Sequence, residues 1–417
     1  MLLSLVWGGV GSVSLSADNL RVVVRLCAAH GLALIGVFAF PALMPVFKEA
    51  WRLSNTETGW IAGIYFLGYA LAVPVLTSLT DRIDAKRVFV AGALLCAAAA
   101  AGFALQADGL WSAMIWRFLG GVGLAGCYMP GLKALVDRVS GPGQARAMSF
   151  YTASFSLGTM LSFAVVGEAE RFLGWQWAFG VAALSALAGC VLALGLNNVQ
   201  PRVEARPSGA LLDFRPVIKN RAVMGYVLGY VCHMWELFTF RAWTVAFLAY
   251  GLGRAGGQGG LPPAQVATLC SLVAIIASIG GADLAIRFDR RRLCRFAMLA
   301  SGGSALLLGL TAALPYWAAA LAAVVYTGLV QLDSAALTTG AMLAADPARR
   351  GATVALHSLL GFGSAFFGPL TQGAVLDVTG HGQSLFSWWS AFALMGAVGL
   401  LGPLALAWAG RGQDGAA

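Results

Sequence analysis

The sequence predicts an all-α integral membrane protein: twelve transmembrane helices in two pseudo-symmetric six-helix bundles. Three observations lead there. Apolar residues make up 59% of the chain and charged residues 11%, well under the roughly 25% charge of a soluble domain. Apolar stretches of about 20 residues, the length that crosses a bilayer, recur from one end to the other. A short basic motif also repeats across the middle. Asp81-Arg82-Ile83-Asp84-Ala85-Lys86-Arg87 is echoed by Ile286-Arg287-Phe288-Asp289-Arg290-Arg291-Arg292, with 205 positions between Arg87 and Arg292, and Gly158 and Gly363 share that offset. Internal repetition in an apolar chain implies two related halves that enclose a path.

Taken in order, the spans fall near residues 21–47, 57–80, 87–106, 110–137, 146–168, 174–197, 222–249, 264–286, 294–313, 315–344, 351–377 and 385–409. Pro74, Pro130 and Pro369 are tolerable inside them because neighbouring helices re-satisfy the freed backbone. No alternation long enough for a barrel strand occurs. The domains follow: an extension over 1–20, a six-helix bundle over 21–197, a cytoplasmic linker over 198–221, a second bundle over 222–410 and a tail over 411–417. Met1 to Val13 is apolar but too short to span and lacks a leading positive charge, so it reads as a loose or membrane-surface extension. A start nearer Arg21 and Arg25 is the alternative. The linker carries Pro201, Pro207 and Ser208.

Lys and Arg set the orientation. With both termini cytoplasmic, the inner connectors hold Arg82, Lys86, Arg87, Arg138, Arg146, the linker, Arg287 through Arg295, Arg349 and Arg350. The outer ones hold only Lys48, Arg52, Arg171 and Arg254, as the positive-inside rule requires. Trp51, Trp60, Trp111, Trp175, Trp177, Trp317, Trp388 and Trp389 fall at outer helix ends, the level of an interfacial aromatic belt. The expected location is the bacterial inner membrane. The net charge of +9 gathers in short connectors, which argues against a nucleic-acid partner. Seven cysteines without paired spacing suggest neither disulfides nor a metal site, and no cofactor is expected.

Two motifs carry a resemblance. Asp81, Arg82, Lys86 and Arg87 match the loop Gly-x-x-x-Asp-Arg-x-Gly-Arg-Lys/Arg, and Arg117, Gly121 and Gly123 match Arg-x-x-x-Gly-x-Gly. Over about residues 20–410 the chain resembles a transporter of the major facilitator superfamily. Thr77, Asp84 and Ala85 depart from the loop pattern. The second copy keeps Arg287, Arg290 and Arg291 but has Ile286 at the acidic position. The resemblance implies that this loop biases an inward–outward equilibrium; a merely topogenic basic loop is the plainer alternative. It also implies that spans one, four, seven and ten line a central cavity. Span five lacks the Gly-Pro pair common in the superfamily's drug antiporters, and Gly368-Pro369 stands in span eleven instead. Gly121-x-Gly123-x-x-Gly126 mimics a dinucleotide fingerprint, but no strand precedes it, so helix packing is the better reading.

Ionisable residues deep in the apolar spans agree with that lining: His30 in one, Arg117 in four, His233, Glu236 and Arg241 in seven, and Asp333 in ten. Charge within a membrane costs at least about 2.5–3.5 kcal/mol on insertion scales, so it marks function or a partner. Tyr226, Tyr230 and His233 share one face of span seven, and Glu236 adjoins His233. Glu236 and Arg241 point apart on the helix, leaving pairs such as Glu236–Arg117 or Arg241–Asp333 across the cavity. Those pairs would be static, or Glu236 or Asp333 would carry a proton. Tyr326 and Gln331 are candidate substrate contacts. His30 is a ligand or a satisfied helix contact, and His357 is read as a supporting residue.

The resulting expectation is a monomeric secondary transporter of a small solute, with protons as coupling ion. Arg117 and Arg241 favour a small organic or inorganic anion. A proton-coupled exporter of amphipathic compounds is one rival, and a non-transporting sensor or assembly protein on the same scaffold is another. An enzyme is not expected, since HExxH, Gly-x-Ser-x-Gly and clustered Cys/His ligands are all missing from the sequence.

Overall fold

Helix is the only regular structure among the described residues of the computed structural model, 16–141, 143–200, 213–257 and 260–410. Most of the expected extension, the linker's 201–212 with Pro201, Pro207 and Ser208, and the tail from 411 lie outside them. The first span comes in three pieces, Ala17–Ala33, Ala39–Ala42 and Met44–Ala50. Spans two to six are Asn55–Leu79, Ala85–Gln106, Leu110–Arg138, Gln144–Leu173 and Trp175–Leu194. After the short helix Arg215–Lys219, span seven is Arg221–Arg254 and span eight Pro263–Arg287. Span nine is Arg290–Leu308 with a tighter turn over Gly309–Ala313, and span ten joins Tyr316–Gln331 to Ser334–Ala344. Span eleven is Arg350–Val378, and span twelve joins Leu385–Gly399 to Gly402–Gly410.

Among the described residues, ten helices are long and apolar enough to cross a membrane. The other two spans are the first, whose longest piece has 17 residues, and the seventh, which carries Glu236 and Arg241 in its middle. Both exceptions are informative: one is interrupted and the other is polar.

The repeated motif has a local structural reason. Asp84 accepts a hydrogen bond from the Lys86 N–H (2.9 Å) and Asp289 accepts one from the Arg292 N–H (2.8 Å). Each acid thereby caps the span that follows, satisfying a donor the helix leaves free and complementing its positive end. Ser54 starts span two in the same way, in a reciprocal box with Glu57.

The orientation expected from the basic residues makes the Asn55 end outer and the Asp84 end inner, and the ends are named accordingly. The halves meet where span two packs on eleven and span five on eight. At mid-height the seam is aromatic: Phe66 lies 4.6 Å from Phe238 and Tyr69 4.0 Å from Phe362, ring centroid to centroid. The tryptophans do not form one belt. Trp111, Trp177 and Trp317 are exposed, whereas Trp388 is buried and donates to the Gly382 carbonyl at 2.9 Å. Trp51 and Trp175 pack with Phe47 and Phe103. A shared level along the sequence therefore covers two roles, because a helix end has a lipid face and a bundle face.

Candidate functional site

The ionisable side chains of the spans separate into three settings. The first lies inside the N-terminal half. Between Leu34 and Phe38 the first span leaves helical geometry, which frees carbonyls that lipid cannot satisfy. Arg117 meets that need. Its Nη1 donates to the Gly36 carbonyl at 3.0 Å and its Nη2 to the Val37 carbonyl at 2.8 Å, while its charge rests over the Tyr65 ring at 4.3 Å. Span four reaches this position because it packs backbone to backbone on span two: a Cβ on Gly121 would stand 1.8 Å from the Tyr65 carbonyl. The glycine row is thus a packing surface, as expected. A cavity of about 20 Å³ adjoins Arg117, whose Nε has no hydrogen-bond partner.

His30 is fully buried on the first span, stacked against Tyr151 at 4.5 Å. Its Nδ1 lies 2.8 Å from Ser154 Oγ, and that hydroxyl already donates to the Tyr151 carbonyl at 2.6 Å. The imidazole must then be the donor, with its hydrogen on Nδ1.

The second setting is the interior of the C-terminal half. Glu236 accepts from the Tyr326 hydroxyl at 2.7 Å and from Ser301 at 3.2 Å. Its carboxyl packs so closely on span twelve that a Cβ on Gly399 would come within 2.3 Å of Oε2. Glu236 therefore does not pair with Arg117. Tyr326, a candidate substrate contact, is bonded to Glu236 instead.

The third setting reaches the seam. Arg241, 8% exposed, donates from Nη2 to Gln331 Oε1 at 3.2 Å rather than to Asp333. Its guanidinium lies 5.8 Å from the Phe38 ring of the first half and 5.6 Å from Phe238. Among the described residues no carboxylate pairs with Arg117 or Arg241. A cavity of about 10 Å³ beside Arg241 touches Phe163 of span five and Ser271 of span eight. Asp333 stands where span ten breaks, with Oδ1 2.8 Å from His233 Nδ1. The distance is that of an ion pair, but the ring N–H is not aimed along it, and neither atom has a well-formed hydrogen bond.

Tyr230 stacks on His357 at 3.8 Å, and His357 Nε2 lies 3.3 Å from Thr338 Oγ1. His357 therefore belongs to this group, although its place near a helix end gave no sign of it. Tyr226, expected on the same face, lies one level nearer the inner end, against Gly340 and 5.9 Å from the Arg291 guanidinium.

The loop residues divide as well. Lys86 is buried and bonds the Leu196 carbonyl and Asn198, so it ties the loop to the start of the linker. Arg82, Arg87 and Arg287 are exposed, and Arg290 is half-buried. Asp84, which the motif comparison treated as a departure, carries the strongest contact here. Its oxygens lie 2.9 and 2.7 Å from Arg138 Nη2, and the Val199 N–H donates to it at 2.9 Å. Burial alone would raise this carboxyl, but the bonds from Arg138, Val199 and Lys86 outweigh it and hold Asp84 below the usual carboxylate range.

At the outer end stands a residue that the sequence reading passed over. Asp377, on span eleven, accepts from the backbone N–H groups of Asn55 at 3.0 Å and Thr56 at 2.8 Å, and from both of their side chains. Across the bundle Gln265 donates to Glu168 at 2.7 Å, from span eight to span five.

The comparisons with known proteins agree with this architecture. Among curated relatives, the uncharacterized MFS-type transporter YcaD of Salmonella enteritidis is 25% identical over 226 residues, 52% of this chain and 58% of the relative. The niacin transporter NiaP of Acinetobacter baylyi is 28% identical over 152 residues, 36% of this chain and 34% of that protein. The chain thus spans only a little over half the length of the first relative. Among solved structures, a bacterial homolog of the human lysosomal transporter Spinster, inward-facing and unoccupied, gives a TM-score of 0.73 at 18% identity. It covers 95% of this chain and 97% of its own. A mutant of the nucleoside transporter NupG gives 0.74 at 13% identity, covering 93% and 98%. At such identities the likeness is one of fold. The family description Major Facilitator Superfamily matches residues 26–330; with twelve spans in two repeated halves, the chain belongs to that superfamily.

Proposed function

We propose that the chain is a monomeric secondary transporter of the bacterial inner membrane that carries a small anionic solute by alternating access. The observation that carries this reading is Arg241: a buried guanidinium at the seam, without a carboxylate partner among the described residues, wedged between an aromatic ring of each half. An uncompensated buried cation is costly, and an anion entering the seam would relieve that cost. Gln331 orients the guanidinium, and the Phe38, Phe66 and Phe238 rings offer an apolar wall. A carboxylate on a small ring suits both features, and the relative named a niacin transporter is consistent with that class.

Proton coupling fits the His233–Asp333 pair better than Glu236. His233 and Asp333 carry unsatisfied polar atoms, so a proton gained or lost there changes their partners. Glu236 is already bonded on two sides within its own half. The rival reading, an exporter of amphipathic compounds, draws on the same aromatic seam. Thermal-shift titration of the purified protein against small carboxylates, inorganic anions and hydrophobic amines separates them. Stabilisation by carboxylates alone supports the proposal, and stabilisation by amines alone rejects it. Uptake into vesicles with an imposed pH gradient then gives coupling and direction.

A further inference from the structure

The outer closure contains a device that neither the repeated motif nor the seam chemistry accounts for. Span two begins at Asn55, and a helix start leaves its first N–H groups without partners. Ser54 and Glu57, within the same half, satisfy Glu57 N–H and Ser54 N–H. The two remaining donors, Asn55 N–H and Thr56 N–H, are satisfied from the other half, by Oδ1 and Oδ2 of Asp377. The Asn55 and Thr56 side chains add bonds of 2.8 and 2.6 Å to the same oxygens, and Lys48 bonds the Asn55 side-chain oxygen. One carboxylate thus completes the N-terminal cap of a helix that belongs to the opposite bundle, where the helix's positive end also favours it.

A second observation points the same way. Two non-glycine residues with positive φ are found among the described residues, Arg52 at 50° and His381 at 59°. They flank the contact from both sides, Arg52 three residues before Asn55 and His381 four after Asp377. Strain in such positions costs on the order of 1–3 kcal/mol and persists where the surroundings impose it. The backbones are close at the contact itself, since a Cβ on Gly373 would stand 2.2 Å from the Asn55 carbonyl.

We propose that Asp377 is a positioning residue for transport: it latches the outer mouth shut by capping span two, and its withdrawal is the step that opens the mouth. The Glu168–Gln265 contact is its counterpart on the opposite edge of the seam, so both edges part when the latch releases. The proposal rests on the alternating-access reading, but its test needs no substrate, so it can fail while uptake is still observed, or stand where uptake is not.

The experiment is hydrogen–deuterium exchange of the full chain in lipid nanodiscs, wild type against Asp377→Ala and Asp377→Asn. Exchange in Asp377→Ala should rise at least tenfold at 54–60, and also at 164–173 and 262–268 on the far edge, with inner-end peptides around 84–90 unchanged. Asp377→Asn keeps one acceptor oxygen and loses the charge, and should fall between the two. A rise confined to 54–58 would mean a local cap with no gating role and overturn the proposal. So would unchanged exchange, or a uniform rise along the whole chain.

Discussion

Arg241 and Asp84 show how differently one residue can use a charge. Among the described residues Arg241 has no carboxylate partner at the seam; Gln331 and the Phe38 and Phe238 rings hold its guanidinium. Arg241→Lys retains the charge but not the planar fork that engages a carboxylate through two parallel bonds. The apparent affinity for a stabilising anion should therefore weaken at least tenfold, read by thermal-shift titration, while membrane insertion stays normal. Equal affinities in the two proteins would remove Arg241 from the site. Asp84 does the opposite and spends its charge on structure, binding Arg138 and the Val199 N–H. Its carboxyl is held below the usual range, so it contributes stability that is present above the unfolded value of about 3.9 and lost as pH falls through the lower folded value. Asp84→Asn should cost about 1–3 kcal/mol at pH 7 and flatten the acid side of the stability curve. Melting curves at pH 7 and pH 3.5 check both statements.

The elements were legible in the sequence wherever hydropathy alone decides, and illegible wherever rotation or a break decides. Span two was expected over 57–80 and is Asn55–Leu79; span nine was expected over 294–313 and is Arg290–Ala313. A bilayer demands about 20 apolar residues whatever they pack against. The interruption of the first span at Leu34 to Phe38 left no such trace, because its freed carbonyls are satisfied from another helix, by Arg117. The partners of Glu236 were hidden for a related reason. A helical wheel places Glu236 beside His233 but does not say that this face turns into its own half, towards Tyr326 and Gly399. His357 reads only as a supporting residue because a lone histidine near a span end carries no pattern that would join it to Tyr230. The break in the first span makes Arg117 an element-level support, and a lysine there reaches one carbonyl in place of two. Arg117→Lys should lower stability by about 1–3 kcal/mol, and Gly121→Ala by a similar amount through overpacking against Tyr65. Thermal melts of purified variants measure both, and a neutral Gly121→Ala would mean that spans two and four are looser than this packing implies.

At the scale of the whole molecule, the duplication supplies two similar halves and the departures from it supply their differences. Asp84 and Asp289 cap equivalent spans, yet Asp84 is buried against Arg138 while Asp289 is exposed, and Leu343 stands where a second Arg138 would fall. The N-terminal loop is thereby fixed to its own bundle and to the linker, which makes the inner end of that half firm. In the proposed alternating access, relative motion is concentrated at the contacts between the halves. Among the described residues, the hydrogen bonds across the outer end are those of Asp377 to the start of span two and of Gln265 to Glu168. Movement of rigid bundles about a seam requires the second contact to break in every cycle, because its two side chains sit on different halves 2.7 Å apart. A short bifunctional thiol reagent joining Glu168→Cys to Gln265→Cys should therefore arrest turnover of whichever solute the thermal screen identifies, and a reducible reagent should restore it on cleavage. Binding from the inner side should survive the cross-link, since the seam itself is untouched. Turnover that continues at the wild-type rate with the cross-link complete would show that the halves do not part along this edge.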